Sequence, residues 1–413
     1  MQPWPGPAGP PPIRLPTPKD AALLKVGREE LDNIAEVLAS GEPFRYRAGS
    51  ACERFERRWA EYLGVQHAAL TSSGTAALVA ALAGLGIGPG DEVLVPAHTF
   101  MATAVAVLSV GAIPVIVDID ESLGMSPEAM EDAIGPRTRA VIPAHMWGLA
   151  ADLDPIIAGC RRRGLRVVED ACQSIGGGYH GRMLGSLGDA GAFSFNYYKN
   201  MTAGEGGAVI TNDPGAFEIA RCMVDCGRFF WTGRSADMQP FSVAGSRASE
   251  IQGAMLNAQL DRLPGLLDQL RAQKEQILKA TCVGGLAANP RHSPESECAT
   301  YLHYLLPTPE HADDLANRVQ GTVVARTGRH TYTEWDPILN HRAGHHPRLN
   351  PFLWPENAGC RRDYSPDMCA RSLGVLRRTV MITNRVDWTE PEVAAVVQRI
   401  AAAAAEVVPA SVG

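Results

Sequence analysis

Lysine is the rarest of the residue types in this chain that could do covalent chemistry. Of 38 basic residues only Lys19, Lys25, Lys199, Lys274 and Lys279 are lysines, and the rest are arginine. A guanidinium stays protonated and cannot form an imine, whereas a lysine amine can once burial lowers its pKa. No other lysine lies between Lys25 and Lys274 than Lys199, which closes the run Phe193-Ser194-Phe195-Asn196-Tyr197-Tyr198-Lys199. Lysine is rarely buried without a partner, so an aromatic and apolar setting suits an amine that attacks an aldehyde.

Two further groups complete a pattern. Asp170 lies in Val167-Val168-Glu169-Asp170-Ala171-Cys172-Gln173, at the C-terminal end of a run that reads as a strand buried on both faces. Ligands of open α/β sheets gather beyond such ends, and a carboxylate there is costly to bury unless it meets a cation. An aspartate that caps the next helix is the other reading. Thr71-Ser72-Ser73-Gly74-Thr75-Ala76 follows a short strand and precedes the apolar helix expected over Ala76–Gly84. Unpaired amides of a first helical turn favour an anion. A plain cap needs one hydroxyl, and this run offers several plus a glycine. An amine for an aldehyde, a carboxylate for a ring nitrogen and a cradle for a phosphate are what pyridoxal 5'-phosphate asks of a protein.

The elements that must position these groups are legible in the pattern. Strands are expected at Ala68–Thr71, Glu92–Pro96, Ile113–Val117, Ala140–Pro143, Arg166–Glu169, Ala190–Phe195 and Ala208–Thr211. Helix starts between them include Ser126-Pro127-Glu128 and Asp154-Pro155, the latter opening a helix over Ile156–Arg163. Strands apolar on both faces, alternating with helices, imply an α/β fold with a mostly parallel sheet covered on each side. Gly86-Ile87-Gly88-Pro89-Gly90 follows a helix and precedes a strand, so it reads as a helix C-cap and turn rather than a dinucleotide loop. A long amphipathic helix over roughly Glu250 to Lys279 leads to a less regular portion. That portion closes with a helix opened by Thr389-Glu390-Pro391-Glu392. The expected organisation is a Pro-rich arm at 1–20, a large α/β domain at 21–280 with an N-terminal segment packed between the lobes, and a small α+β domain at 281–413.

Composition narrows the function classes. The chain has 413 residues and a net charge of −7, which argues against bulk nucleic-acid binding. Met1 to Pro18 holds eight prolines and is expected to be a flexible or extended arm, not a signal peptide. The longest apolar stretch, Ala97 to Val117, is interrupted by His98, Gly111 and Pro114, so no membrane span is expected. Nine cysteines without a CxxC pair read as reduced thiols of a cytoplasmic protein. Neither Cys222 with Cys226 nor His341 with His345 carries the partners of a metal site, and no metal is expected. Tyr332 to Arg362 reads as a basic, aromatic substrate wall.

Order and spacing of the motifs resemble the DegT/DnrJ/EryC1/StrS family of sugar and cyclitol aminotransferases. The supporting stretches are Ser73 to Leu78, Gly90-Asp91-Glu92-Val93, Pro96 to Phe100, Pro143 to Gly148 with Asp152-Leu153-Asp154, Glu169 to Gln173, and Phe193 to Lys199 with Gly204-Glu205-Gly206-Gly207. The resemblance implies the type I, aspartate-aminotransferase-like fold and pyridoxal 5'-phosphate as cofactor. By the same resemblance Lys199 would hold the cofactor's aldehyde as a Schiff base and shuttle a proton. Asp170 would pair with the pyridine nitrogen, Gln173 would bond the phenolic oxygen and Phe100 would stack on the ring. Gly74, Thr75 and Ser194 would hold the phosphate. Glutamate or glutamine would donate an amino group to a keto-sugar or keto-cyclitol, in a homodimer with its active site at the interface. Where many members carry a cross-subunit Asn-x-Arg, this chain reads Ala244-Gly245-Ser246-Arg247, so Ser246 substitutes as a donor or that contact is lost. A dehydratase branch replaces the lysine with histidine, which Lys199 opposes. An aminobenzoate-forming branch keeps the lysine and stays open, while a non-catalytic cofactor-binding regulator fits poorly with the intact Lys, Asp and Gln set.

Overall fold

The computed structural model describes residues 26–234, 239–282 and 285–407; the expected arm at 1–20 lies outside them. Helices α1 (Arg28–Ala39) and α2 (Ala51–Leu63) lead to a sheet built from β1 (His67–Thr71), β2 (Glu92–Pro96), β3 (Ile113–Val117), β4 (Thr138–Val141) and β5 (Arg166–Asp170). A short hairpin of β6 (Gly178–Tyr179) and β7 (Arg182–Met183) precedes the last two strands of that sheet, β8 (Ala190–Ser194) and β9 (Gly207–Thr211). The order across the sheet is β1-β9-β8-β5-β4-β2-β3. Only β9 runs against its neighbours; the other pairings from β8 through β3 are parallel. Helices α3 (Gly74–Gly84), α4 (Ala102–Ser109), α5 (Pro127–Ala133), α6 (Leu153–Arg162) and α7 (Pro214–Val224) connect the strands. Separate apolar clusters on the two faces of the sheet explain why its strands carry no alternation.

All seven strands expected from the pattern are present. β4 begins and ends two residues earlier than expected, because Pro143 has no N–H to donate and only its carbonyl is used, by Asp170 N at 3.0 Å. Ser126 caps α5, its Oγ accepting from Ala129 N, with Pro127 in the first turn. α6 departs from expectation. It opens at Leu153 rather than after Pro155, and Asp152 gives its carboxylate to the Tyr179 hydroxyl instead of to the helix.

After the four-residue α8 (Phe229–Thr232), the 32-residue α9 (Glu250–Thr281) spans both lobes. Ser249 and Gln252 close a capping box at its start. Its second half meets an antiparallel sheet of β10 (Ala287–Ala288), β11 (Tyr301–Leu305), β13 (Thr379–Thr383) and β12 (Thr322–Val323), in that order. Helices α10 (Pro309–Val319) and α13 (Glu390–Val407) cover this sheet around a separate core. The expectation that the N-terminal segment sits between the lobes is corrected for its described part. Asn33 donates to Ala254 O and Glu30 engages Arg262 and Gln259, so α1 lies along the first half of α9. The small sheet attaches further on, through Gln269 to Val386 O and Gln273 to Asn384.

The stretch after β12 also behaves differently from expectation. It contains α11 (Asp336–Leu339) and α12 (Ala370–Arg378), and Tyr332, Trp335, Ile338 and Phe352 are buried in the core of the large sheet. These apolar side chains cover the α4 face of β2 and β3. No helix among the described residues is long and apolar enough to cross a membrane. Trp335→Ala removes one of the largest fully buried side chains from this return segment, and is expected to cost about 3–5 kcal/mol. Urea unfolding followed by circular dichroism checks this, and a loss under about 1 kcal/mol would contradict the packing described.

Candidate active site

The C-terminal ends of β1, β2, β4, β5 and β8 open into one cavity of about 370 Å³. Gly74, Thr75, Phe100, Asp170, Gln173, Ser194 and Lys199 all line it. The structure therefore brings together all seven residues singled out from the sequence. A larger cleft of about 620 Å³ between α2 and α7 contains none of them.

The candidate anion-binding end is the start of α3. Ser73 is its cap, Oγ accepting from Ala76 N at 3.1 Å, which leaves the first-turn amides of Gly74 and Thr75 without a helical acceptor. A side chain at position 74 would lie 2.8 Å from Cys172 Sγ and from Ser194 Cβ. Glycine there lets the helix end approach the end of β8, so that both face the same space.

Asp170 closes β5 and is 6% exposed. One carboxylate oxygen accepts from Thr103 Oγ1 at 2.7 Å and the other from Cys172 N at 3.1 Å. No arginine, lysine or histidine within ion-pair distance of it is found among the described residues. A buried carboxylate held only by neutral donors retains a demand for a cation. Burial, and the carboxylate beside it, push the Cys172 thiol well up, so Cys172 stays a neutral neighbour.

Lys199 lies in the loop between β8 and β9. That loop is closed at its base by Ala203 N to Phe195 O, Tyr197 N to Gly204 O and Thr202 Oγ1 to Phe195 O. Burial pushes the amine below the ordinary lysine value; Cys172 and Asp170 oppose this and Arg329 adds to it. Among the described residues Lys199 has no ion-pair partner, so its amine is available.

Several residues in or behind the cavity wall were not singled out from the sequence. Glu169, next to Asp170 but on the opposite face of β5, accepts from the amides of Gly185, Leu187 and Gly188 and from His145 Nε2 at 3.1 Å. His145 Nδ1 accepts from Ala151 N, so this histidine carries its proton on Nε2. Arg329 and His330 line the cavity, with the Arg329 guanidinium 5.5 Å from the Phe100 ring centre and 6.0 Å from that of Tyr198. No acidic partner of Arg329 is found among the described residues. The expected substrate wall at Tyr332 to Arg362 is thus corrected: the lining residues precede it, and its Tyr332, Trp335 and Phe352 face the core. His341 is spent on the Arg362 carbonyl. Gly245 and Ser246 do not line the cavity of their own chain; Ser246 O accepts from Ser72 N and Ser246 N donates to Val224 O.

A helix end offering free amides, a buried carboxylate lacking a cation and an amine of lowered pKa fit the three ends of pyridoxal 5'-phosphate. Set at the C-terminal ends of a mostly parallel α/β sheet with an antiparallel lobe behind it, they define a type I pyridoxal-phosphate protein. The model of the DegT/DnrJ/EryC1/StrS aminotransferase family matches residues 25–332, and the chain belongs to this family. It is 44% identical to the spore coat polysaccharide biosynthesis protein SpsC of Bacillus subtilis (strain 168) over 193 residues, 46% of this chain but only 49% of that protein's length. It is 36% identical to an L-glutamine:2-deoxy-scyllo-inosose aminotransferase of Streptomyces fradiae over 75% of this chain and 76% of that one. Among solved structures, a 3-amino-5-hydroxybenzoic acid synthase superposes with a TM-score of 0.77 at 27% identity, covering 93% of this chain and 98% of that one.

The Lys199 amine yields a pH prediction whose sign is fixed by its neighbours. Arg329→Gln removes a positive charge, so the amine regains proton affinity and its midpoint for capturing pyridoxal phosphate should move to higher pH. Asp170→Asn should move it lower. The rate of absorbance change on mixing apoprotein with cofactor, measured against pH, reads both. Unchanged midpoints in both variants would contradict the electrostatics described.

Proposed function

We propose that this chain is a pyridoxal-phosphate-dependent aminotransferase that moves an amino group from glutamate or glutamine to a keto-sugar or keto-cyclitol. The observation that carries this reading is the Asp170 carboxylate, buried with no ion-pair partner among the described residues, in the same cavity as the Lys199 amine. When bound, pyridoxal phosphate supplies an electron sink for the charge that develops at the amine-bearing carbon. Asp170 holds a proton on the ring nitrogen, and Thr103 and the Cys172 amide orient its carboxylate. The amides of Gly74 and Thr75, with Ser194 Oγ, bind the phosphate. Phe100 would stack on the ring and Gln173 would bond the phenolic oxygen, both lining the same cavity. Lys199 would hold the cofactor by its aldehyde, and its amine of lowered pKa would hold or move a proton at Nζ.

The keto-ring substrate class and the glutamine donor draw support from the names of the relatives, one a polysaccharide biosynthesis protein and one a glutamine-dependent cyclitol aminotransferase. We place the protein in the cytoplasm, in natural-product biosynthesis, as a homodimer with its active site at the interface. A second reading, an aminobenzoate-forming synthase that eliminates water, is favoured by the match to the 3-amino-5-hydroxybenzoic acid synthase.

Mass spectrometry of a panel of keto-sugars and keto-cyclitols, each incubated with glutamate and with glutamine, distinguishes them. The expected product exchanges a carbonyl oxygen for an amine with no further loss of water; an aromatic product would select the second reading. Lys199→Ala is expected to lower turnover by about a thousandfold or more. Asp170→Asn should lower it by about a hundredfold with the cofactor still bound. Turnover retained in Lys199→Ala would remove that residue from its assigned role.

A further inference from the structure

His98 follows β2, is fully buried, and has no part in the roles assigned above. Its ring makes two hydrogen bonds of opposite sense. Nδ1–H donates to the His330 carbonyl at 3.0 Å, and Nε2 accepts from the indole Nε1–H of Trp147 at 2.9 Å. Only the neutral ring with its proton on Nδ1 satisfies both, and burial holds the pKa of His98 down at about 3. One imidazole thus ties together a loop beyond β4 and the segment that carries Arg329 and His330. A backbone bridge between His98 and Thr331 and the bonds Tyr332 N to Ala97 O and Met101 N to Arg329 O run alongside it.

Trp147 is held in an unusual way. Its φ is 55°, in the left-handed region that residues with a Cβ seldom occupy. Gly148 beside it has φ 87°, and Cys298 N donates to the Gly148 carbonyl. The indole lies 5.3 Å from the Tyr301 ring, edge to face, and 4.5 Å from the His330 ring. Trp147, Tyr301 and His330 all line the cavity that holds Lys199. With its N–H spent on His98, the indole contributes an apolar wall that offers the cavity no donor. A saturated six-membered ring bearing hydroxyl groups has C–H faces that bury well against such a wall. Glutamate and glutamine have no such face.

We propose that Trp147 is the platform for the ring of the amino acceptor, and that His98 is the positioning residue that sets the platform through its bonds to Trp147 and His330. This rests on the reading of the chain as an aminotransferase of keto-rings and adds which side chain selects the acceptor. The two half-reactions share one cavity but differ in the molecule bound, so a platform for the ring acts on one half-reaction only. A residue that merely stabilises the fold would affect both.

The test uses the full-length protein loaded with cofactor, with retained cofactor absorbance as the control for folding. The donor half-reaction is followed with glutamate and with glutamine alone. Acceptor KM is measured with 2-deoxy-scyllo-inosose, and with a dTDP-linked keto-sugar if that is the ring the wild type accepts. Trp147→Ala should raise acceptor KM by about tenfold or more, and Trp147→Phe, which keeps a ring, should recover most of it. His98→Phe should raise acceptor KM in the same direction. His98→Asn, which keeps an amide N–H near the place of Nδ1–H, should fall between it and the wild type. Donor half-reaction rates should stay within about twofold in all four. An acceptor KM unchanged in Trp147→Ala, or donor and acceptor steps that fall together, would overturn the proposal. A wild type that aminates no keto-ring would instead sink the functional reading beneath it.

Discussion

A carboxylate at the buried end of a central strand is a standing cost to the folded chain. At Asp170 two neutral donors, the Thr103 hydroxyl and the Cys172 amide, orient the group without neutralising it. Much of the surrounding structure is arranged about that one charge. β5 delivers it to the floor of the cavity, and α4 begins where Thr103 can reach it. The neighbouring Glu169 has the opposite fate, since three backbone amides and His145 consume its charge. Adjacent acids on one strand thereby serve different ends: Glu169 ties down the 185–188 turn and His145, and Asp170 is left for a cation from outside the chain.

The remaining site groups are held by backbone geometry more than by side-chain pairing. The candidate anion-binding end depends on close approach of α3 to β8, which Gly74 permits. The Lys199 loop is fastened at its base and leaves its amine without an ion-pair partner among the described residues. Opposite these, the wall made by Trp147, Tyr301 and His330 comes from three distant segments, one of them β11 of the small sheet. The cavity therefore lies between a side facing the proposed cofactor, built on the parallel sheet, and a composite side drawn from segments of both sheets.

The cofactor-facing side was legible in the sequence because it is local. Strand and helix meet within a few residues at Thr71 to Ala76, and strand and turn do so at Val167 to Gln173 and Phe193 to Lys199, so each motif carries its own elements. Strands buried on both faces announced the parallel sheet, and the scarcity of lysine left Lys199 with few competitors. The composite side was not legible. His98 meets Trp147 across 49 positions and the His330 carbonyl across 232, and no periodicity encodes such pairs. The aromatic and basic character of 332–362 suggested a substrate wall, but the large sheet needed apolar cover and took those side chains. Arg329 and His330, just upstream, remained for the cavity. Likewise Asp152 was bonded by Tyr179, a contact across the fold, and α6 started without a side-chain cap.

The central claim is that Asp170 waits for a cation and that the cofactor supplies it. The most direct measurement is the 15N NMR shift of the ring nitrogen of labelled pyridoxal phosphate bound to the protein at neutral pH. The account predicts the shift of a protonated pyridine nitrogen, lost in Asp170→Asn. An unprotonated nitrogen in the wild-type protein with its cofactor fully bound would contradict it.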